Sequence, residues 1–263
     1  MAVFVAVGIR MITSGDGRTN RYDVEAGNNT YDNAVIENSK ISEKNKIQNN
    51  QSMLDDIMNS TQYPKQLKDL ALKNEEALEF VFDYPAEHVK ENTIDLTEEA
   101  SMDSVPLFVQ WDKRWGYEKY SGNFFAASGC GPTTLSMVVV YLTHNRDASP
   151  IAVAKYSKEA GYSVDGSGSS WTLISEGCMH YGVKAKAVAL DESRMKAELD
   201  EGHPIVVNVG PGDFTDTGHF MVITGYDDEG FSINDPNSIE KSGKRWLFKN
   251  ISSQIRAVWS MYV

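Results

Sequence analysis

The segment Ser128-Gly-Cys-Gly-Pro-Thr-Thr-Leu-Ser-Met137 begins an apolar helical pattern that continues to Leu142. Pro132 fits the first turn of a helix, where a missing backbone N–H costs nothing, so Cys130 is predicted at or just before the helix N-terminus. Unpaired N–H groups and the helix dipole favour a thiolate at that position. Cys130 is therefore a candidate nucleophile.

The glycines beside Cys130 leave two interpretations open. Gly129 and Gly131 lack side chains, so a substrate backbone could approach the thiol closely, and we predict that both contact substrate. The other interpretation is a small buried cysteine that only begins a core helix. The segment by itself does not decide between them.

Two further motifs place a polar side chain on a short apolar strand. His219 opens the strand predicted for Gly218-His-Phe-Met-Val-Ile-Thr-Gly225, and Asp235 ends the strand predicted for Phe231-Ser-Ile-Asn-Asp-Pro236. The residues between them include Asp-Asp-Glu-Gly, which is typical of a hairpin turn. A lone histidine on a strand is more often structural, and a carboxylate before proline is common in turns, so each alone is a weak signal.

The length of the hairpin loop decides whether His219 and Asp235 face the same side of the sheet, because strand neighbours alternate between faces. The two residues are an even number of positions apart, which calls for a loop with an odd number of residues. A three-residue loop with Gly230 in the left-handed conformation would satisfy this, and so would a five-residue loop. We predict the longer loop, since it brings Asp235 nearer to His219.

The chain from Val105 onward places predicted helices before predicted strands. A strand at Pro106–Gln110 and an aromatic loop precede helices at 128–142, 150–160, 170–181 and 191–201. Strands are then predicted at 183–190, 204–209, 219–225, 231–235, 245–248 and 257–262. This order favours an α+β domain over a doubly wound parallel sheet.

Four motifs together resemble the peptidase C-39-like family of papain-fold cysteine peptidases, over Val105–Val263. They are Gln110-Trp-Asp-Lys-Arg-Trp115, the Gly-Cys-Gly-Pro-Thr-Thr segment, Gly218-His-Phe-Met-Val-Ile and Asn234-Asp-Pro. The resemblance implies a papain-like fold in which the nucleophile begins a helix packed on an antiparallel sheet. It also implies that Cys130 is the nucleophile, His219 the general base and acid, and Asp235 the residue that orients the histidine.

Gln110 has the role of an oxyanion donor by the same resemblance. In papain-like enzymes a glutamine shortly before the cysteine donates its side-chain amide to the oxyanion, together with the backbone N–H of the cysteine. The spacing from Gln110 to Cys130 is longer than in papain and holds the aromatic loop. A polar residue on an edge strand is the alternative interpretation.

Further residues are predicted to border the substrate cleft. Asp213 and Phe214 lie in a loop between one strand and His219, near the predicted mouth of the cleft. Trp171 follows a glycine–serine loop that could line the cleft, although a helix cap with a core tryptophan fits equally well. Cys178 is predicted to be a small core residue.

The part of the chain before Val105 is predicted to be an addition to the catalytic domain. Residues 13–62 are polar, and residues 1–62 are predicted to be a mostly disordered linker or anchor remnant, with a transient helix near Met53–Met58. The apolar stretch Met1–Gly8 could be the tail of a signal or membrane anchor. Residues 63–104 are predicted to be a helical extension, with two short helices meeting near Lys73-Asn74. It could brace the catalytic domain, inhibit it or dock a partner, and we favour the brace.

Composition excludes several classes of partner. With 37 acidic and 25 basic residues the net charge is −12, which repels nucleic acid and anionic membrane surfaces. No apolar run approaches the roughly 20 residues that span a bilayer. His180 and His203 show no metal-ligand spacing, so we predict no metal and no cofactor. We expect a monomer acting on a peptide or protein.

The function predicted from these observations is hydrolysis of peptide bonds through a Cys-His-Asp triad and a thioester acyl-enzyme. Another thiol-dependent acyl transfer, or isopeptide cleavage, would use the same thioester, so it stays an alternative. An inactive cell-surface binding module is a second alternative. The resemblance and the apolar stretch suggest an extracellular or cell-envelope setting of a bacterial protein, with a cytoplasmic one as the alternative.

Overall fold

The computed structural model describes residues 29–263, with side chains described for Lys40 and for residues 42–263. The predicted apolar stub Met1–Gly8 therefore lies outside the described residues. The chain divides after Ile47, and the residues from Gln48 to Val263 form one compact unit. No helix among the described residues is long and apolar enough to cross a membrane.

The α-helices are α1 Asn29–Asn59, α2 Lys65–Lys73, α3 Leu78–Phe82, α4 Tyr84–Glu87, α5 Thr97–Ala100, α6 Phe125–Ser128, α7 Cys130–Thr143, α8 Pro150–Glu159, α9 Thr172–Ser175, α10 Glu192–Asp200, α11 Ile239–Ser242 and α12 Phe248–Ile251. Two 3₁₀ turns lie at Glu75–Ala77 and Gly177–Tyr181. The strands are β1 Lys119–Tyr120, β2 Asn123–Phe124, β3 Ser163–Val164, β4 Gly168–Ser169, β5 Lys184–Ala187, β6 Ile205–Val209, β7 His219–Asp227, β8 Gly230–Asn234, β9 Arg245–Trp246 and β10 Ile255–Tyr262.

Six strands form an antiparallel sheet in the order β5-β10-β6-β7-β8-β9. Both of its faces are covered, so β6 is buried at every position. Val206 belongs to the core shared with the central helices, whereas its neighbour Val207 belongs to a second core on the other face. The predicted α+β class, with helices first and an antiparallel sheet after them, is confirmed.

Helix α7 lies at the centre of the larger core. Its residues from Gly131 to Val140 are all buried, which explains why the helix is apolar on every side rather than amphipathic. Thr134 lies one turn after Cys130, and its hydroxyl donates to the carbonyl of Phe220 at 3.1 Å. This bond ties the first turn of α7 to the beginning of β7.

The hairpin of β7 and β8 differs from the prediction. Asp227 pairs with Gly230, so the loop has two residues rather than three or five. A bulge at Thr224 shifts the register, because Ile223 pairs with Ile233 while Gly225 pairs with Ser232. One extra residue in a strand reverses the faces of everything beyond it. The bulge therefore places His219 and Asp235 on the same face of the sheet, an effect that the prediction assigned to a loop with an odd number of residues.

Two predicted elements in the catalytic region are wrong. Pro106–Gln110 forms no strand: Pro106 lacks an N–H, and the segment is held by separate bonds, including Gln110 N–H to Pro236 O at 2.7 Å. The helix predicted at 170–181 is interrupted between α9 and the following 3₁₀ turn. Gly177 lies at that break, and glycine is a poor helix former.

The N-terminal segment is more helical than the sequence predicts. Helix α1 covers Asn29–Asn59, where we expected a linker with a transient helix. Ile57 explains its last turns, since it is fully buried in a cluster with Leu67 and Phe80. Burying one such side chain stabilises the fold by roughly 1.5–3 kcal/mol. The domain boundaries at residues 62 and 104 stay predictions.

The predicted pair of short helices after Pro64 is confirmed as α2 and α3, which meet at Asn74. The apolar residues Leu67, Leu70 and Ala71 recur at helical spacing and are buried. They share their cluster with Phe124 and Ala126, which immediately precede the Cys130 helix. Residues 65–82 thus pack directly on the region that follows Val105.

We predict that Gly230→Ala destabilises the protein by at least about 1 kcal/mol. Gly230 has φ +135°, and an added Cβ would lie 2.6 Å from the carbonyl oxygen of Trp246. The matched control is Gly225→Ala on the neighbouring strand, where an added Cβ meets no atom within 4 Å. Urea unfolding of both variants checks this, and equal free energies of unfolding would contradict it.

Candidate active site

Cys130 is the first residue of α7, as the proline and glycine pattern predicts. Its side chain is partly exposed, whereas the residues that follow it in the helix are buried. The thiol is therefore presented to a cleft from a helix that cannot shift without disturbing the core. Helix N-termini also stabilise a thiolate.

His219 and Asp235 lie together beside this thiol. His219 begins β7, and Asp235 follows the last residue of β8. Nε2 of His219 and Oδ1 of Asp235 are 2.7 Å apart, and the two residues are 6% and 0% exposed. A hydrogen bond shielded from water in this way fixes the orientation of the imidazole ring. With Nε2 so engaged, Nδ1 is the ring nitrogen left for Cys130.

Burial opposes the charged forms of Cys130 and His219, and their neighbours overcome it. Burial raises the pKa of the Cys130 thiol, but the hydrogen bond and charge of His219 and the backbone N–H groups of Phe220 and Gly131 bring it below its ordinary value. Burial lowers the pKa of His219, but the charge and hydrogen bond of Asp235, with help from Cys130, raise it to about 10. The site favours a thiolate–imidazolium pair.

Gln110, predicted to be an oxyanion donor, lines the same cavity as Cys130 although it is 20 positions earlier in the sequence. Its Nε2 donates one hydrogen to the carbonyl of Ala126 at 2.7 Å. An amide nitrogen carries two hydrogens, and this bond uses one of them. The aromatic loop folds back, which brings Gln110 and Cys130 to one cavity.

Gly129 and Gly131 contact protein rather than the cleft. Both are buried, and a Cβ added at Gly129 would lie 2.6 Å from the Phe125 ring. A Cβ added at Gly131 would lie 2.6 Å from Ser169 Oγ. The space that we predicted for a substrate backbone is filled by these side chains, so the two glycines act by allowing close packing around Cys130.

Two cavities meet at Cys130. The first, with a volume of about 520 Å³, is lined by residues of α2, the β6–β7 loop and the turn after β8, including Gln66, Asp69, Lys73, Asn74, Asp213, Thr215, Asp216, Asn237 and Lys241. The second, of about 700 Å³, is lined mainly by small residues, including Ser121, Gly122, Gly166, Ser167, Gly168, Ser169, Asn208, Gly210 and Arg256. Both cavities are lined by Cys130, and together they are called the groove below.

The other predicted cleft residues lie along this groove with different exposures. Asp213 borders the first cavity, and Trp171, which is 48% exposed, borders the second. Phe214 also borders the first cavity, but it is only 4% exposed and its ring is 4.5 Å from that of Trp246. Phe214 is therefore largely a core residue at the border of the cavity, and its contact with substrate stays a prediction.

Sequence reasoning missed the residues that hold Asp235. Asn237 N–H donates to Asp235 Oδ1 at 2.8 Å, and Asp235 N–H donates to Ser242 Oγ at 2.9 Å. The run of turn-forming residues after Asn234 was the available signal, since Asn and Ser side chains commonly bond to nearby backbone. In the described part of the chain, no cluster of His, Cys, Asp or Glu could hold a metal ion.

Comparison with known proteins gives one family. The model of the Peptidase_C39 like family matches residues 102–263, which confirms the resemblance seen in the motifs. No curated protein matches the chain. Among solved structures, the peptidase domain of Streptococcus ComA, a bi-functional ABC transporter involved in quorum sensing, is similar at 19% identity and a TM-score of 0.44, over 60% of this chain and 96% of that domain. A protein described as a C39-like peptidase from Bacillus anthracis matches at 18% identity and a TM-score of 0.37, over 60% of this chain and 95% of its own.

We predict that iodoacetamide alkylates Cys130 quickly at about pH 6, where an ordinary thiol of pKa about 8.5 is almost entirely protonated. The physical reason is that the imidazolium of His219 stabilises the thiolate below the ordinary thiol range. In His219→Ala the midpoint of the rate–pH curve should move upward. Peptide mass spectrometry measures the rate at each cysteine.

Cys178 is the internal control for this measurement, because it is fully buried and burial raises its pKa to about 11. It should stay unlabelled in the folded protein. A midpoint for Cys130 equal to that of free glutathione would contradict the thiolate–imidazolium pair.

Proposed function

The chain belongs to the Peptidase_C39 like family over residues 102–263, and we therefore propose that it is a cysteine peptidase that uses Cys130, His219 and Asp235. One observation carries the proposal: a partly exposed thiol at the start of a buried helix faces a histidine held by a buried carboxylate. This is the arrangement of nucleophile, base and orienting group that acyl transfer through sulfur needs.

The first half of the proposed reaction forms a thioester. In the starting ion pair the Cys130 proton already resides on Nδ1 of His219, and the thiolate attacks the carbonyl carbon of the scissile peptide bond. The carbonyl oxygen becomes an oxyanion in the tetrahedral intermediate. As the C–N bond breaks, the imidazolium gives its proton to the departing amine, which leaves a thioester on Cys130.

The second half returns the enzyme to its starting state. Neutral His219 removes a proton from a water molecule, and the resulting hydroxide attacks the thioester carbonyl. The C–S bond breaks, the thiolate leaves, and the carboxylic acid product departs. Asp235 stabilises the imidazolium in both halves and keeps Nδ1 directed at sulfur, without itself taking the proton.

The oxyanion would be stabilised by the second N–H of the Gln110 amide and by the backbone N–H of Cys130. Each such donor lowers the barrier by roughly 3–4 kcal/mol when it is directed at the developing charge. The position of Gln110 on the same cavity as Cys130 supports this assignment.

We propose a peptide or an extended segment of a protein as the substrate. The groove has two arms, the two cavities that share Cys130, so a chain bound in both arms would place residues on both sides of the scissile bond. The first arm is rich in charged side chains, whereas the second is lined largely by glycine and serine with Trp171 exposed at its wall. The two arms would therefore accept chemically different residues.

We predict that Cys130→Ala lowers peptide hydrolysis by roughly 10⁴-fold or more, because the nucleophile cannot be replaced by its neighbours. The thermal unfolding temperature should stay close to that of the wild type, since the side chain is partly exposed. Mass spectrometry of products from a peptide library gives the activity, and circular dichroism gives the stability.

Cys178→Ala is the matched control, as it removes the other thiol of the chain from a buried position. It should keep its activity after correction for any loss of folded protein. Hydrolysis by a clean preparation of the Cys130→Ala variant would refute the proposal.

A further inference from the structure

Two polar residues of the N-terminal extension contact the turn that carries Asp235, although they precede the region matched by the family. We infer that Asn74 and Glu76 are positioning residues, which hold the turn Asp235–Ser238 so that Asp235 can orient His219. The inference rests on the proposed function, because it assigns these residues a part in the same reaction.

Asn74 links the extension to the turn through both ends of its amide. Its Oδ1 accepts from the backbone N–H of Glu76 at 3.0 Å, which caps the 3₁₀ turn that follows α2. Its Nδ2 donates to the carbonyl oxygen of Asn237 at 2.9 Å and to Oδ1 of Asn237 at 3.1 Å. The cap orients the amide, so its donors are directed at Asn237.

Glu76 holds the next part of the turn. One carboxylate oxygen accepts from the hydroxyl of Ser238, and the other accepts from the backbone N–H groups of Ile239 at 2.8 Å and of Glu240 at 3.0 Å. Both carboxylate oxygens of Glu76 therefore accept hydrogen bonds from consecutive residues at the end of the turn. Hydrogen bonds to an ionised group are about twice as strong as bonds between neutral groups.

Asn237 connects these contacts to the catalytic pair. Its carbonyl and side chain accept from Asn74, while its N–H donates to Oδ1 of Asp235 at 2.8 Å. The same oxygen of Asp235 is 2.7 Å from Nε2 of His219. A continuous series of hydrogen bonds thus leads from Asn74 through Asn237 and Asp235 to the imidazole.

The extension can hold the turn because it is itself fixed. Leu67 and Leu70 of α2 are buried with Phe124 and Ala126, a few residues before Cys130 in the chain. Packing on that segment sets the distance between Asn74 and the cleft. The extension therefore supports both the segment that leads to Cys130 on α7 and the turn that carries Asp235.

Several charged groups other than Asp235 surround Cys130 and His219 and contribute to the electrostatic field at these two residues. Glu76 contacts the turn, while the cavity beside Cys130 is lined by Asp69 and Lys73 of α2, Asp213 and Asp216 of the β6–β7 loop, and Lys241 of α11. A test must therefore separate loss of the contact from loss of a nearby charge. Glu75 allows this, because it is next to Glu76 but accepts from Asn50 and is exposed.

The experiment compares Asn74→Asp, Glu76→Gln and the matched control Glu75→Gln. Asn74→Asp keeps the oxygen that caps the 3₁₀ turn, removes the two donations to Asn237 and adds a negative charge. Glu76→Gln removes a negative charge with little change of shape, so a shift of the same sign in both variants cannot come from charge alone. For each full-length variant, kcat and KM for a library-derived peptide, the pH profile of Cys130 alkylation and the thermal unfolding temperature are measured.

We expect Asn74→Asp and Glu76→Gln to lower kcat by roughly tenfold with little change in KM, since a bond to a charged group is lost or misdirected. The midpoint of Cys130 alkylation should rise by about one pH unit, because a misplaced Asp235 stabilises the imidazolium less. Glu75→Gln should match the wild type in both kcat and the midpoint of Cys130 alkylation. A role confined to stability would lower only the unfolding temperature and leave the alkylation midpoint unmoved.

An unmoved alkylation midpoint in both folded variants, or an equal shift in Glu75→Gln, would overturn the inference. Should Asn74→Asp not fold, the near-isosteric Glu76→Gln decides by itself. Alkylation needs no turnover, so a wild-type chain that cleaves no peptide would refute the proposed function while the midpoints still test Asn74 and Glu76.

Discussion

The bond between His219 and Asp235 is the interaction on which the rest of the site depends. An imidazole with no buried partner would lose its charge on burial, because burial lowers the pKa of histidine. Asp235 counters that effect at 2.7 Å, and the charge and hydrogen bond of His219, together with the N–H groups of Phe220 and Gly131, hold the pKa of the Cys130 thiol below its ordinary value. Features far apart in the sequence serve this one contact: the bulge at Thr224, the turn at Asn237 and the buried helix α7.

The residues of the site come from two parts of the fold, one helical and one an antiparallel sheet, which pack against each other. The helical part supplies the thiol at a helix start, and the antiparallel sheet supplies the histidine at a strand start. Thr134 bridges the two by donating to the Phe220 carbonyl, next to His219. Cys130 and His219 line one cavity where the two parts meet, so the packing that forms the core also brings these two residues together.

The N-terminal extension borders the groove and does not fill it. Residues Asp69, Lys73 and Asn74 line a cavity of about 520 Å³ that stays open beside Cys130. Among the described residues this placement is compatible with a brace, which stays a prediction. The extension also supplies the groups that contact the Asp235 turn.

Local chemistry allowed the sequence to determine much of this protein. Proline and glycine around Cys130 indicated the helix start, apolar periodicity indicated the order of helices and strands, and the hairpin motif placed His219 and Asp235 on adjacent strands. These signals act over a few residues, so they can be read without the fold. Helix α2, with its buried face of Leu67 and Leu70, was predicted on the same basis.

Only the tertiary structure decided the features that depend on distant parts of the chain. A bulge residue looks like any other strand residue in the sequence. The two-residue loop, and the bulge at Thr224 that turns His219 and Asp235 to the same face, therefore could not be foreseen. The spaces beside Gly129 and Gly131 are filled by other side chains, and Phe214 is buried by a ring from another strand. The contact from Asn74 to Asn237 joins residues 163 positions apart, and no local pattern specifies which turn a helix will meet when the chain packs.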